Sequence, residues 1–292
     1  MGRRKSSRGA CARAGRAAGS PRGAGGGVRE NVPGDRAAAG LAPGGEGEGS
    51  TVDTPLDEWL ARAWVDRAVW DLRPDYRAAL VAADHLVGGP GDEVSEKLLC
   101  GAIAAARERL AGRSPDELPH VRAWQEAYRA FGAKPQRTRP SVDALLRRIE
   151  AGIPRIDRLT DAYNAISISH LLPAGGEDLA AYAGPIRLVR ADGTEDFDTV
   201  ASGAPAVEHP APGEVVWRDD LGVTCRRWNW RQCARTRLTA RSTSAVFVLD
   251  GLAPVTARQL SAAARDLAAA LMLLCPQARV ASRLLAPPGA GE

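Results

Sequence analysis

Residues 213–230 read GEVVWRDDLGVTCRRWNW. Two short runs rich in Val, Thr and Trp flank Asp219-Asp220-Leu221-Gly222, and that combination predicts a β-hairpin turning at 219–222. If the second run stays extended, Thr224, Arg226, Trp228 and Trp230 face one way and Cys225, Arg227, Asn229 and Arg231 the other. The first face suits a sheet core. The second is Arg-Asn-Arg, and two guanidiniums either side of an amide suit bidentate contact with an anion. Arg218, Arg226, Arg227, Arg231, Arg235, Arg237 and Arg241 follow one another here with only Asp219 and Asp220 to oppose them. Two readings stay open: a solvated structural face, or a surface for an anionic, planar ligand such as single-stranded nucleic acid.

Working outward, helical periodicity dominates upstream. TPLDEWLARAW predicts a helix capped by Thr54, with Pro55 in its first position. EVSEKLLCGAIAAARERLAG lines Leu98, Leu99, Ile103, Ala106 and Leu110 on one face, with Gly112 as its stop. The next helix carries Val121, Trp124, Tyr128 and Phe131 as a core stripe and stops at Gly132. Another starts at Ser141 as N-cap and ends at Gly152. YRAALVAADHLVGG and LTDAYNAISISHLLP read equally as strand or helix.

After Gly152 the period shifts to two. GPIRLVRADGTEDF predicts a hairpin around Asp192-Gly193, and TSAVFVLDGL a buried strand. Thr256 and Gln259 form a capping box that opens a closing helix. Helices, then a mostly antiparallel sheet, then a helix make the expected class α+β, with one folded domain over residues 54–286.

Residues 1–53 are Gly-, Ala- and Arg-rich and are expected to be a disordered tail, and 287–292 a flexible end. The net charge of +4 belongs to that tail: residues 1–50 hold nine Lys/Arg against four Asp/Glu, and the remaining 242 residues hold 30 against 31. Five scattered cysteines, an odd number, argue against a disulfide framework and fit a reducing cytoplasm. Cys225 and Cys233 are not at metal-ligand spacing, and none of the four histidines pairs with a cysteine at a zinc interval, so no metal is expected. No apolar run reaches membrane-spanning length, and no membrane association is expected.

GxSxG, phosphate-loop, HExxH and dinucleotide-glycine motifs are all absent, so no cofactor is expected. No histidine has a nucleophile beside it in sequence, and His170 reads as structural. Besides the arginine stretch one cluster remains, DAYNAISISHLLPAGGEDL, in which Asp161, Asn164, Glu177 and Asp178 flank a Pro-Ala-Gly-Gly turn at 173–176. The acids read as helix caps, or else Asn164 and the amides of Gly175 and Gly176 line a pocket that orients a carbonyl.

WQEAYRAFGAKPQRTRPSVDALLRRIEAGIPRIDRLTDAYNAISISHLLPAGGEDL, followed by GEVVWRDDLGVTCRRWNWRQCARTRLT, resembles the stand-alone proteins built on the B3/4 domain of the phenylalanyl-tRNA synthetase beta subunit. The resemblance covers Leu118–Leu252 and extends to Leu72–Leu274. It implies an α+β domain, tRNA or the acceptor end of an aminoacyl-tRNA as partner, and hydrolysis of a mischarged aminoacyl ester as activity. It places Asn164 in the pocket as the group that polarises the carbonyl, and matches Pro173 and Asp178. The sequence departs from the synthetase pattern at Gly175, where that pattern has a histidine, and at Arg237, near which it has the acid that selects a tyrosine hydroxyl. The expected site is therefore Asn164 as the catalytic residue, with Gly175, Gly176, Asp178, Arg227, Asn229, Arg231 and Arg237 binding substrate. A non-catalytic RNA-binding module and an amino-acid sensor on the same fold remain alternatives.

Overall fold

Every residue from Ala78 to Ala83 is buried, and this settles the ambiguous run at 76–89 as a central strand. The computed structural model describes residues 55–289. The expected disordered tail, the cap at Thr54 and the last three residues lie outside them. The described chain runs α1 (Leu56–Ala61), β1 (Trp64–Val65), α2 (Arg67–Leu72), β2 (Arg77–Asp84), α3 (Glu93–Leu110), α4 (Pro119–Ala130), α5 (Ser141–Leu146) and α6 (Arg158–His170). It continues β3 (Ala174–Asp178), β4 (Arg187–Arg190), β5 (Phe197–Ala201), β6 (Ala204–Glu208), β7 (Val215–Arg218), β8 (Val223–Arg226) and β9 (Arg231–Gln232). It closes with β10 (Ala245–Gly251), α7 (Ala257–Leu274) and β11 (Arg279–Leu285).

The strands form a four-stranded antiparallel sheet ordered β11-β2-β10-β3 and a five-stranded sheet ordered β1-β4-β7-β8-β9, with β5 and β6 a separate ribbon. Among the described strands only β1 and β4 pair in parallel. The class is α+β, as the switch of period after Gly152 implies.

Period two explains how β2 over 78–83 and β10 over 245–249 can be continuously apolar. Ala79, Val81, Phe247 and Leu249 pack with α7 through Leu260, Leu267 and Leu271, and with α6 through Leu159 and Ile166. Ala78, Leu80, Val246 and Val248 join the opposite cluster with Trp217 of β7, Cys225 of β8 and Trp124 of α4. Trp124 and Tyr128 are core, as their helical spacing predicts; both are fully buried.

Several local expectations change. The run 184–197 is not a hairpin: β4 pairs with β1 and β7, while β5 pairs with β6 across Ser202-Gly203. The Asp-Gly turn exists, with Thr194 N donating to Asp192 Oδ1 at 2.7 Å. The buried Glu195 carboxylate, however, accepts from the Asp192 and Gly193 amides and carries the chain away from β4. Ser141 does not cap α5; Pro140 holds that position, and the helix ends at Leu146 rather than Gly152. The expected turn at 173–176 runs into strand β3, which pairs with β10 at the sheet edge. The ambiguous run around Asn164 is helix α6, capped by Asp157. The capping box of Thr256 and Gln259 is present at α7.

Candidate functional site

The 215–226 hairpin forms as its turn signal predicts, but extended backbone stops at Arg226. Arg227 and Trp228 both take left-handed backbone, with φ of 48° and 67°. That conformation is uncommon for residues with a Cβ, and two in succession turn the chain sharply. The expected alternation of faces therefore breaks. Trp228 swings into the core, edge-on to Trp124 at 5.2 Å and to Tyr76 at 4.9 Å.

Most arginines of this stretch are held by acids. Arg226 is buried and donates through Nε and Nη2 to Glu214, both at 2.9 Å, and through Nη1 to Glu208 at 2.8 Å. Arg231 reaches Glu208 at 2.7 Å, and Arg227 lies 3.6 Å from Glu214 with its guanidinium over the Trp230 ring. Arg235 grips the fully buried Asp219 and Arg218 the buried Glu195. Arg237 is exposed.

Beside this turn the two sheets and the α4–α6 segment enclose a cavity of about 530 Å³. Four of the expected site residues line it: Asn164 from α6, Gly175 from β3, Asn229 from the turn and Arg231 from β9. Asn164 is 7% exposed, and its side-chain amide has no hydrogen-bond partner among the described residues. A buried amide normally finds partners, so an unengaged one on a cavity wall is poised for a ligand. Gly175 matters by what it lacks. A Cβ there would stand 3.0 Å from Gln232 Nε2, and any longer side chain would project into the cavity.

The other expected residues lie outside the lining. Gly176 faces the core, where a Cβ would fall 2.7 Å from the Phe247 ring. Its carbonyl accepts from Gln232 Nε2 at 2.9 Å. Asp178 caps the short turn at Leu179–Ala181, accepting from Ala180 N at 3.0 Å and from Ser242 Oγ at 2.5 Å. Arg227 packs on Trp230, and Arg237 makes an isolated backbone bridge to Glu177.

Two acids on the cavity wall were absent from the sequence-derived site. Asp250 is the penultimate residue of β10, two past Val248 and therefore on the same sheet face. It accepts from Tyr76 Oη at 2.6 Å and from Asn229 Nδ2 at 3.2 Å, and Asn229 Oδ1 in turn accepts from Tyr128 Oη. Burial raises the Asp250 carboxyl to about 7, outweighing both hydrogen bonds. Glu177 is likewise raised by burial, against hydrogen bonds from Tyr182 and Thr236 to its Oε2. The same burial, with these acids nearby, pushes the Cys225 thiol well up, so it is protonated at neutral pH and a poor nucleophile. An Asp inside the apolar run AVFVLDG was the available sequence signal, since an acid in a buried strand needs partners or a function.

The rim has the opposite sign. Arg137 and Arg148 are exposed, Arg139 is partly so, and Ile156 is 62% exposed, whereas Glu177 and Asp250 sit at 3% and 2%. Histidines play no part in it. His120 accepts from Trp124 Nε1 and Leu252 N at Nε2, a buried neutral ring, and His170 pairs with Asp266 at 2.8 Å between α6 and α7. Among the described residues no group of His, Cys, Asp and Glu is placed to hold a metal ion. No described helix is long and apolar enough to cross a membrane.

The family profile of the B3/4 domain matches residues 123–268, which contain every residue of the expected site. No curated protein matches the chain. Among solved structures the chain is similar to an N-terminal fragment of the phenylalanyl-tRNA synthetase beta-subunit from Pyrococcus horikoshii, with a TM-score of 0.37 and 13% identity. That alignment covers 75% of this chain and 49% of the fragment, so the chain spans about half the fragment's length.

Proposed function

The chain belongs to the B3/4 domain family, and from that premise we propose that its cavity receives the acceptor end of an aminoacyl-tRNA and hydrolyses the aminoacyl ester. One observation carries the proposal. Asn164, Gly175, Asn229 and Arg231, widely separated in sequence, meet on one cavity whose wall also holds a carboxyl group that titrates near neutrality.

In this reading the unengaged Asn164 amide donates to the ester carbonyl, and that bond strengthens as the oxygen becomes an oxyanion. Asp250 accepts a proton from the attacking water as the new C–O bond forms, and returns it to the departing ribose oxygen as the tetrahedral intermediate collapses. A base near pH 7 balances the fraction ionised against proton affinity, which suits that role. Asn229 and Tyr76 hold the carboxyl in place by hydrogen bonds. The absence of a side chain at Gly175 leaves space for the acyl group.

The test is an assay of the purified protein against a panel of mischarged tRNAs. At least one should lose its amino acid faster than in buffer. Background loss across the whole panel removes the enzymatic reading. Salt-sensitive tRNA binding without turnover would then identify a binding module, and thermal stabilisation by a free amino acid would identify a sensor.

A further inference from the structure

We propose that the phosphates of the bound RNA strand are held by Arg137, Arg139 and Arg148 at the cavity mouth, and not by the arginines that follow Trp217. This rests on the aminoacyl-tRNA reading above. It assigns the anion-binding surface to a segment that sequence reasoning left without a role.

The pairing of each arginine decides the matter. A guanidinium already engaged by a buried carboxylate must give up that partner to bind phosphate, and breaking a buried pair is costly. Arg226 and Arg235 are in that position, through Glu214 and Asp219, while Arg231 is held at 2.7 Å by the part-exposed Glu208, which it shares with Arg226. Arg137 and Arg148 are exposed, and their side chains have no partner among the described residues. Arg139 has only Asp143 at 3.8 Å, and Arg147 already holds that acid at 2.7 Å. All three line the same cavity as Asn164 and Gly175.

The segment is also prearranged. Arg137 N and Thr138 N both donate to Lys134 O, folding 134–138 into a turn, and Ser141 N donates to Asn229 O at 3.2 Å, tying the segment to the cavity wall. Between residues 134 and 148 stand Lys134 and four arginines against the single acid Asp143, which is fully buried.

The reversal of sign with depth indicates what kind of anion fits. Cations crowd the mouth, whereas Glu177 and Asp250 lie within, so a ligand that is anionic throughout would meet like charge as it entered. A strand end whose phosphates remain at the rim, while a neutral ribose and a cationic aminoacyl group go inside, matches both zones. Ile156 and the partly buried Trp230 add apolar surface at the mouth for a base or ribose face.

The experiment measures fluorescence anisotropy of a labelled oligoribonucleotide ending 3′-CCA, and of bulk tRNA, at several KCl concentrations. Wild type should bind both RNAs with a steep salt dependence. The triple variant Arg137→Ala/Arg139→Ala/Arg148→Ala should bind more weakly, and the slope of log K against log salt should shrink by about 2, near 0.7 per single-strand phosphate contact. Arg241→Ala/Arg265→Ala, on exposed arginines outside the cavity, should leave the slope unchanged. If the triple variant fails to fold, Arg137→Gln/Arg148→Gln carries the test with a slope change of about 1.4. Wild-type binding with an unaltered slope in the folded arginine variants overturns this inference and leaves the RNA reading standing. Absence of RNA binding by wild type overturns both.

Discussion

Asn229 donates its Nδ2 to Asp250 Oδ2 at 3.2 Å, and so ties the left-handed turn after β8 to the end of β10 on the cavity wall. The bond joins residues 21 apart in sequence, one in the turn between β8 and β9 of the five-stranded sheet and the other on β10 of the four-stranded sheet. It also bears on how the protein responds to pH.

Burial raises Asp250 from the ordinary 3.8 to about 7 in the folded protein. Between those values the unfolded chain has released a proton that the folded chain retains, so stability falls as pH rises from about 4 to about 7 and then levels off. Asp250→Asn removes this titration. Melting temperatures measured from about pH 5 to about pH 8 should therefore fall less in the variant than in wild type. Parallel curves would show that Asp250 is ionised throughout. Glu177, raised in the same direction, remains in both proteins.

Glu214 is 3% exposed and accepts two bonds from the Arg226 side chain and one from Arg227 N. Glu214→Gln leaves the buried guanidinium with only the part-exposed Glu208 as counter-charge and should cost about 3 kcal/mol in urea unfolding. Glu208→Gln, at a carboxylate 38% exposed, should cost about 1 kcal/mol or less. Equal costs would contradict a structural role for the Arg226–Glu214 pair.

Gly175 and Gly176 are neighbours with opposite consequences. Gly176→Ala forces a methyl to within 2.7 Å of the Phe247 ring and should destabilise by about 1–3 kcal/mol. Gly175→Ala meets only the movable end of Gln232 and should cost under about 1 kcal/mol. Gly175→Val should keep the fold and abolish ester hydrolysis, because its side chain enters the cavity. Full activity in a folded Gly175→Val protein would place the acyl group elsewhere.

Asn164→Ala tests the oxyanion donor. Removing one such donor typically lowers turnover about 10²-fold or more. Because the Asn164 side chain holds no partner among the described residues, the variant should melt near the wild-type temperature. A rate within about threefold of wild type would take Asn164 out of the chemistry.

What the sequence made legible was local. The Asp219–Gly222 turn, the aromatic stripe of α4 and the capping box of α7 are each decided by residues within a few positions of one another. The β5–β6 ribbon was hidden because the Asp192-Gly193 signal ten residues earlier is stronger than Ser202-Gly203. Strand β3 was mistaken for a turn because Gly175 and Gly176 carry the composition of one; their small size instead admits Gln232 and Phe247. The faces of 223–231 were misassigned at Arg227 and Trp228, because left-handed backbone at two non-glycine residues has no sequence signature. Asn164, which lines the cavity, was singled out through family resemblance, whereas Asp250 was concealed in a hydrophobic run. Which arginines keep a free charge depended on Glu208 and Glu214, acids brought to them by the β5–β6 ribbon and by the residue preceding β7.

The most direct measurement is a crystal structure of the protein with a non-hydrolysable acceptor-end analogue, a 3′-aminoacylamino-3′-deoxyadenosine. The amide carbonyl should lie within hydrogen-bond distance of Asn164 Nδ2, the acyl group against Gly175, and the 5′ side of the nucleoside toward Arg137 and Arg148. An analogue bound outside this cavity, or one bound within it that leaves Asn164 untouched, would contradict the proposed function.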